Sequence, residues 1–220
     1  MKTLTPEQAK LFYDDFGSKQ DDQSWYEEPA VDRLIQYADF TQSQHVLEIG
    51  CGTGQLAHRL LKTHLPATAD YTGIDISDTM IALATERTGQ FRDRVTFLRQ
   101  DVRDTLPFSD HHFDRIITTY VLDIFPKQDI YEFLDRVRQF LIPGGILGIV
   151  SITRGNNVLS KVVMGSWGLI HRISPARVGG CRPLAISNFL RPEHWDILHH
   201  SVLSVRGIAS EITVLRRKND

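Results

Sequence analysis

The sequence predicts a doubly wound α/β fold, with a mainly parallel sheet closed by a C-terminal antiparallel hairpin. Three observations carry this. A short apolar run, Val46-Leu47-Glu48-Ile49, breaks into glycines at alternate positions, Gly50, Gly52 and Gly54, then resumes at Gln55 with Leu56, Ala57, Leu60 and Leu61 at helical spacing. Glu48, Asp75 and Asp101 all fall at or near the ends of consecutive strand-like runs, the edge at which open α/β sheets bind ligands. Ile146 to Ile152 is continuously apolar, as a strand covered on both faces is, and the chain after Trp195 alternates apolar and polar residues about Arg206-Gly207, as a hairpin does.

Taken in order, Thr5-Pro6-Glu7-Gln8 reads as a helix start, with Thr5 as N-cap, Pro6 at the first helical position and Gln8 closing a capping box. That helix ends near Gly17, a polar run follows, and Pro29 opens a second helix through Ala38. The glycine turn feeds a helix to about His64, and Asp70 to Ile76 is the next strand. Ser77 caps a helix carrying Met80, and Arg94 to Val102 is a strand ending at Asp101. A lone Asp there is better read as a turn former, but the repetition of acids at strand ends changes that. The fourth strand and its exit loop lie within His112 to Asp123, with Asp114 a structural acid at its start. A helix from Lys127 to Leu141 has a core-facing stripe, ended by Pro143-Gly144-Gly145.

The chain has 220 residues, enough for one domain of enzyme size, and its net charge of −2 provides no basic footprint for nucleic acid. Two cysteines make neither a disulfide framework nor a zinc set, so no metal is expected and a reducing, cytoplasmic setting is the default. The opening from Met1 to Glu7 lacks an apolar signal region, and no apolar stretch reaches membrane-spanning length.

A glycine turn of this kind lets a ligand lie against the backbone, facing the free N–H groups that open the next helix. The dinucleotide fingerprint is G-x-G-x-x-G, whereas here the spacing is G-x-G-x-G with Glu48 two residues earlier. A carboxylate repels a pyrophosphate and suits an ammonium and a sulfonium, which S-adenosylmethionine carries. Asp75 lies about twenty residues on, where a carboxylate accepts both ribose hydroxyls.

Strand, acid and G-x-G-x-G together resemble motif I of the class I S-adenosylmethionine-dependent methyltransferases. With Asp75, Asp101 and the Pro143-Gly144-Gly145 turn, the resemblance extends to about residue 152. It implies a seven-stranded, Rossmann-like methyltransferase fold. In it Glu48, Gly50, Cys51, Gly52 and Gly54 border the methionine end, while Asp75 holds the ribose. Ile76 and Met80 border the adenine, Asp101 accepts from its amino group, and Val102 adds a backbone contact. Tyr13-Asp14-Asp15-Phe16 is similar to a segment that folds over the cofactor in the ubiquinone and menaquinone group of the family; equally, its rings pack the N-terminal helices. The reactive methyl of that family points past the fourth strand, which makes Thr119 a cofactor contact and Tyr120 and Asp123 candidates on the acceptor side. His171 is the third catalytic candidate. Methyl transfer needs mainly orientation, and a base only where the acceptor loses a proton early.

The expected layout is a helical cap over 1–40, a cofactor core over 41–152, an acceptor-side segment over 153–190 and a closing hairpin over 191–220. Val158 to Ile173 reads as a helix apolar on most of its surface. Two readings stay open for it: a lid over an apolar acceptor that rests on a membrane surface, or a helix packed on the sheet or on a second subunit, packing being the commoner case. The Gly179 to Pro183 loop could bring Arg177 or Arg182 near the site. The fourth strand is not followed by the D/N-P-P-Y/F/W sequence of amino-directed nucleic-acid methyltransferases, nor is there a Pro-Cys nucleophile. The reading is methyl transfer from S-adenosylmethionine to a small, apolar, lipid- or quinone-like acceptor. Its rivals are a nicotinamide-dependent oxidoreductase, opposed by the glycine spacing, Glu48 and Asp101, and a non-catalytic S-adenosylmethionine-binding module.

Overall fold

The computed structural model describes residues 3–219, so Met1, Lys2 and Asp220, at the ends of the expected domain, lie outside the described residues. Helix α1 (Pro6–Phe16) carries the full capping box between Thr5 and Gln8 and stops at Gly17, where φ is +53°. A 3-10 segment, Gly17–Gln23, leads directly into α2 (Ser24–Ala38). This helix starts five residues earlier than the proline signal predicts, and Pro29 sits in its second turn. Tertiary packing overrides the local signal: Tyr26 is buried with its ring edge-on to Tyr120, which holds the first turn in helical form around a proline that forfeits one N–H bond.

Strand β1 (His45–Ile49), helix α3 (Gln55–Thr63), β2 (Asp70–Asp75), α4 (Asp78–Arg87), β3 (Val95–Arg99), β4 (Phe113–Thr119) and α5 (Lys127–Phe140) follow in alternation. Strand β5 (Leu141–Ile152) begins sooner than expected. Leu141 already pairs with Phe113, and the chain then bulges through Pro143-Gly144-Gly145 before Ile146 pairs with Arg115. Helix α6 (Val158–Ile173) precedes a hairpin of β6 (Trp195–Val205) and β7 (Ile208–Arg217), turned at Arg206 and Gly207 with φ of 47° and 91°. Two positive φ values match the twist of the flanking strands.

The seven strands are ordered β3-β2-β1-β4-β5-β7-β6, parallel through β5, with β7 antiparallel to both β5 and β6. The order reverses between β1 and β4, and the crevice at such a switch point is where these sheets take ligands. Alternate side chains of the strands feed two cores. Leu47, Ile116 and Leu147 meet Ile130, Phe133 and Val137 of α5 on one face. Val46, Ile117 and Val150 meet Leu34 of α2 and Leu60 of α3 on the other. At the edge away from the crevice, Asp114 accepts from the Gln44 and His45 N–H groups at 2.7 and 2.8 Å, fixing the start of β1 beside β4. Replacing it (Asp114→Ala) is expected to lower stability by about 1.5–3 kcal/mol, the scale of charged hydrogen bonds, in chemical denaturation, with ligand affinity unchanged.

Candidate functional site

The glycine turn between β1 and α3 enters the left-handed region at alternate residues, with φ of 76°, 49° and 75° at Gly50, Gly52 and Gly54. The Gly50 and Cys51 N–H groups donate to the Ile74 carbonyl at 2.8 and 3.0 Å, and the Gly52 N–H donates to Asp75 Oδ2 at 3.0 Å. The three positions differ in what a side chain would meet. A Cβ at Gly50 would stand 2.1 Å from Val121 Cγ2, and one at Gly54 would stand 2.7 Å from the Ala84 Cα. At Gly52 nothing lies within 4 Å. Gly50 and Gly54 therefore let the turn pack against the β4 exit and α4, whereas Gly52 borders open space.

That space is a cavity of about 180 Å³ at the switch point, lined by Glu48, Gly50, Gly52, Asp75 and Asp101 among others. Cys51, Ile76, Met80, Val102, Thr119, Tyr120 and Tyr13 also reach its wall. Asp75 accepts from Gly52 through Oδ2 and from the Ser77 N–H through Oδ1 at 2.9 Å, which leaves a lone-pair direction on each oxygen for a diol. Burial raises its pKa above the usual carboxylate value.

Glu48 is buried and accepts from the Tyr71 hydroxyl at 2.6 Å through Oε2, while Oε1 makes no hydrogen bond among the described residues. Burial pushes its pKa up to about 8. The anionic charge inferred from sequence is thus largely titrated at neutral pH until a cation arrives, a correction with burial as its cause. Asp101 is less available than expected. Arg103 grips both its oxygens, with Nε at 2.9 Å from Oδ1 and Nη2 at 2.7 Å from Oδ2. Burial alone would raise its pKa, but these bonds outweigh it and the net shift is downward. Arg103 lines the cavity and was not singled out in the sequence, where a cation two residues past an acid reads as a solvated pair.

The N-terminal elements close the other side. Tyr13 donates to the Gly179 carbonyl at 3.3 Å, and Asp14 accepts from the Ser77 hydroxyl at 2.6 Å, pinning α1 over the start of α4. Phe12 and Phe16 stack on one another, so the aromatic segment both lines the cavity and packs the cap. Tyr26, Glu27, Gln20 and Cys181 are lining residues that the sequence did not reveal. In the sequence Glu27 precedes the expected helix start at Pro29 and carries no local sign of function. It accepts from the Tyr26 hydroxyl at 3.2 Å and from Gln20 at 3.4 Å, both through Oε1. Burial among the tyrosines and the cavity wall pushes its pKa up to about 7.

Three expected site residues do not reach the cavity. Gly54 is a packing glycine, as its contact with Ala84 shows. Asp123 is fully buried behind the wall, accepting from the Ile152 N–H at 2.8 Å, and burial raises its pKa well above the carboxylate range. It anchors the end of β5 rather than facing an acceptor. His171 is buried under α6 with Nε2 at 3.1 Å from the Gly180 carbonyl, and burial lowers its pKa. It positions the loop beneath it. Arg182 is buried and donates to the Phe125 carbonyl, and Arg177 is exposed, so neither lines the cavity. No cluster of three or more potential metal ligands exists among the described residues.

A parallel sheet with a glycine turn and two strand-end acids around one crevice defines a Rossmann-like protein with a site for a nucleoside-bearing cofactor. Residues 46–145 match the family described as a methyltransferase domain, and in this part the chain resembles the class I S-adenosylmethionine-dependent methyltransferases. The chain is 34% identical over 139 residues to a lovastatin nonaketide synthase of Monascus pilosus, covering 62% of this chain and 4% of that one. It is 33% identical over 111 residues to a demethylmenaquinone methyltransferase of Porphyromonas gingivalis, covering 50% of this chain and 44% of that one. The chain thus spans less than half the length of these relatives. Among solved structures, the [4+2]-cyclase SpnF superposes with a TM-score of 0.74 at 18% identity, covering 100% of this chain and 99% of that one. The N-methyltransferase NodS of Bradyrhizobium japonicum, in complex with S-adenosylhomocysteine, superposes with 0.67 at 18% identity over 92% of each chain. These likenesses are of fold.

The two glycine contacts separate folding from binding. Gly54→Ala is expected to destabilise the protein by about 2–4 kcal/mol, from left-handed strain plus overpacking. Gly52→Ala should lose about 1–2 kcal/mol of stability but also obstruct the cavity, seen as weaker cofactor binding in calorimetric titration. Asp75→Ala is expected to weaken cofactor binding by about 1.5–3 kcal/mol, and an unchanged affinity removes it from the ribose role.

Proposed function

We propose that this chain transfers a methyl group from S-adenosylmethionine to a small acceptor of apolar character that carries a protic group. The observation that carries the reading is a single cavity whose wall joins the glycine turn, Glu48, Asp75 and Asp101 to Tyr13, Tyr26, Tyr120 and Glu27. The donor set fits the cofactor. Gly52 leaves backbone open to it, Asp75 has acceptor positions for two hydroxyls, and the unpaired Oε1 of Glu48 suits an ammonium. When bound, S-adenosylmethionine supplies a methyl group on a cationic sulfur, a good leaving group.

On the acceptor side the tyrosine rings supply an apolar, water-excluding wall. Glu27 is placed to take a proton through Oε2, the oxygen that Tyr26 and Gln20 leave free. It replaces Asp123 and His171 as the base candidate because it faces the cavity and they do not. Similarity to a demethylmenaquinone methyltransferase supports a quinone- or lipid-like acceptor, as does the apolar wall. The layout of cap, cofactor core, acceptor-side segment and hairpin serves this reading, and a cytoplasmic setting agrees with it; no helix among the described residues is long and apolar enough to cross a membrane. The fold also supports a cyclase, so a binding module without methyl transfer is the second reading.

Titration with S-adenosylmethionine, S-adenosylhomocysteine and NAD in parallel tests the cofactor, and methyl incorporation across apolar alcohols, acids, amines and quinols tests transfer. Cofactor binding with no incorporation on any acceptor favours the second reading. Two pH effects are expected. A cation beside Glu48 lowers its pKa, so below about pH 8 binding releases a proton and affinity rises with pH; calorimetry in two buffers of different ionisation enthalpy reads this, and Glu48→Gln should abolish the release. A base must be ionised to act, so turnover should rise with pH through about 7. Glu27→Gln should remove that limb and lower the rate by about 10²–10⁴ with cofactor affinity unchanged.

A further inference from the structure

Ten large hydrophobic side chains stand exposed among the described residues, and six of them are on α6: Val158, Leu159, Val162, Leu169, Ile170 and Ile173. At about 100° per residue these six fall within an arc of about 120°, one continuous outward stripe. The other exposed hydrophobics, Leu11, Trp25, Tyr37 and Ile197, are scattered over three other elements. The opposite face of α6 is spent on the fold: Met164 and His171 are buried, and Trp167 donates to the Cys181 carbonyl at 2.9 Å. The stripe is therefore not a core face turned the wrong way.

Its charge setting is one-sided. From Arg136 to Pro192 the sequence contains no Asp or Glu, within a chain whose net charge is −2. Arg154, Lys161, Arg172 and Arg177 in and beside α6 are exposed, and none pairs with a carboxylate among the described residues. An apolar stripe edged by unpaired cations is the pattern of a helix that lies in the plane of an anionic lipid surface. A symmetric pairing of two copies through this face would bring like cations together around the apolar contact, and it gives them no partner. Anionic headgroups neutralise them instead.

We propose that this chain docks peripherally on anionic lipid bilayers through the exposed stripe of α6, with Lys161 and Arg172 beside the headgroups. The proposal stands independently of methyl transfer. It bears on it through position, because the inner face of α6 holds Gly180 and Cys181, and Cys181 lines the cavity.

The test is sedimentation of the whole chain with vesicles of phosphatidylcholine alone or with roughly one third phosphatidylglycerol, at low and high salt. The expected result is binding at least about ten-fold stronger to the anionic vesicles, weakened by salt. Val162→Asp with Leu169→Asp should lower it by about ten-fold or more, and Lys161→Glu with Arg172→Glu should remove the preference for anionic lipid. Both pairs of residues are exposed, so thermal melting and S-adenosylhomocysteine affinity should stay as in the unaltered chain; the melting curve stands as the folding control whatever the cofactor proves to be. No vesicle binding, equal binding to both lipids, or binding that survives the aspartates overturns the proposal. So does a dimer in sedimentation equilibrium that the aspartates dissociate, which assigns the face to a second copy.

Discussion

The site rests on one backbone constraint, the left-handed path of the turn from Gly50 to Gly54. Three residues with positive φ in five let the chain leave β1, bond back to the end of β2 through Ile74 and Asp75, and enter α3 within a few ångströms of α4. With a Cβ at Gly50 the β4 exit loop is displaced, and with one at Gly54 the two helices separate. Because Gly52 and Asp75 share a hydrogen bond, the open wall of the cavity and the acid beside it are set by the same turn. The position of Glu48 follows, since it lies two residues before the turn on a strand buried from both sides.

The first part of the N-terminal cap, α1 and the 3-10 segment after it, is attached differently, by polar side chains more than by core. Asp14 accepts from Ser77, and Asp21 accepts from Thr53 at 2.6 Å and pairs with Arg87 at 2.5 Å. These contacts run from the cap to the glycine turn and to both ends of α4. Segments tied by hydrogen bonds with few buried apolar contacts open more readily than a core does. This part of the cap covers the cavity, while α2, seated in the core, brings Tyr26 and Glu27 to it.

At the far side, α6 and the Gly179 to Cys181 loop form a second cover. Its inner contacts are specific, a Trp167 indole and a His171 ring each on a loop carbonyl, and its outer face is apolar with cations along one edge. Gly207 in the β6–β7 turn would meet Val163 with any Cβ, so the hairpin that completes the sheet also seats this helix. Cofactor end, cap and outer cover are three layers with different chemistry around one cavity.

The sequence alone determined the alternating elements, the closing hairpin and the cofactor edge, because each rests on local signals: the glycine spacing, the acids at strand ends, the capping box at Thr5 and the period-two alternation after Trp195. Those signals are short-range, so they survive without knowledge of packing. What tertiary structure decided is which polar groups meet. Asp123 and His171 sit in family-like or lid-like positions in the chain, yet β5 and the Gly180 loop consume them as buried anchors. Glu27 gives no local sign of function, and only the docking of α2 beside Tyr120 brings it to the cavity with its pKa raised. The α2 start and the early pairing of Leu141 were settled likewise, by burial of Tyr26 and by sheet register. Burial, register and contact between distant segments have no signature at fixed spacing, which is why the chain's folding edge could be read from its letters and its acceptor side could not.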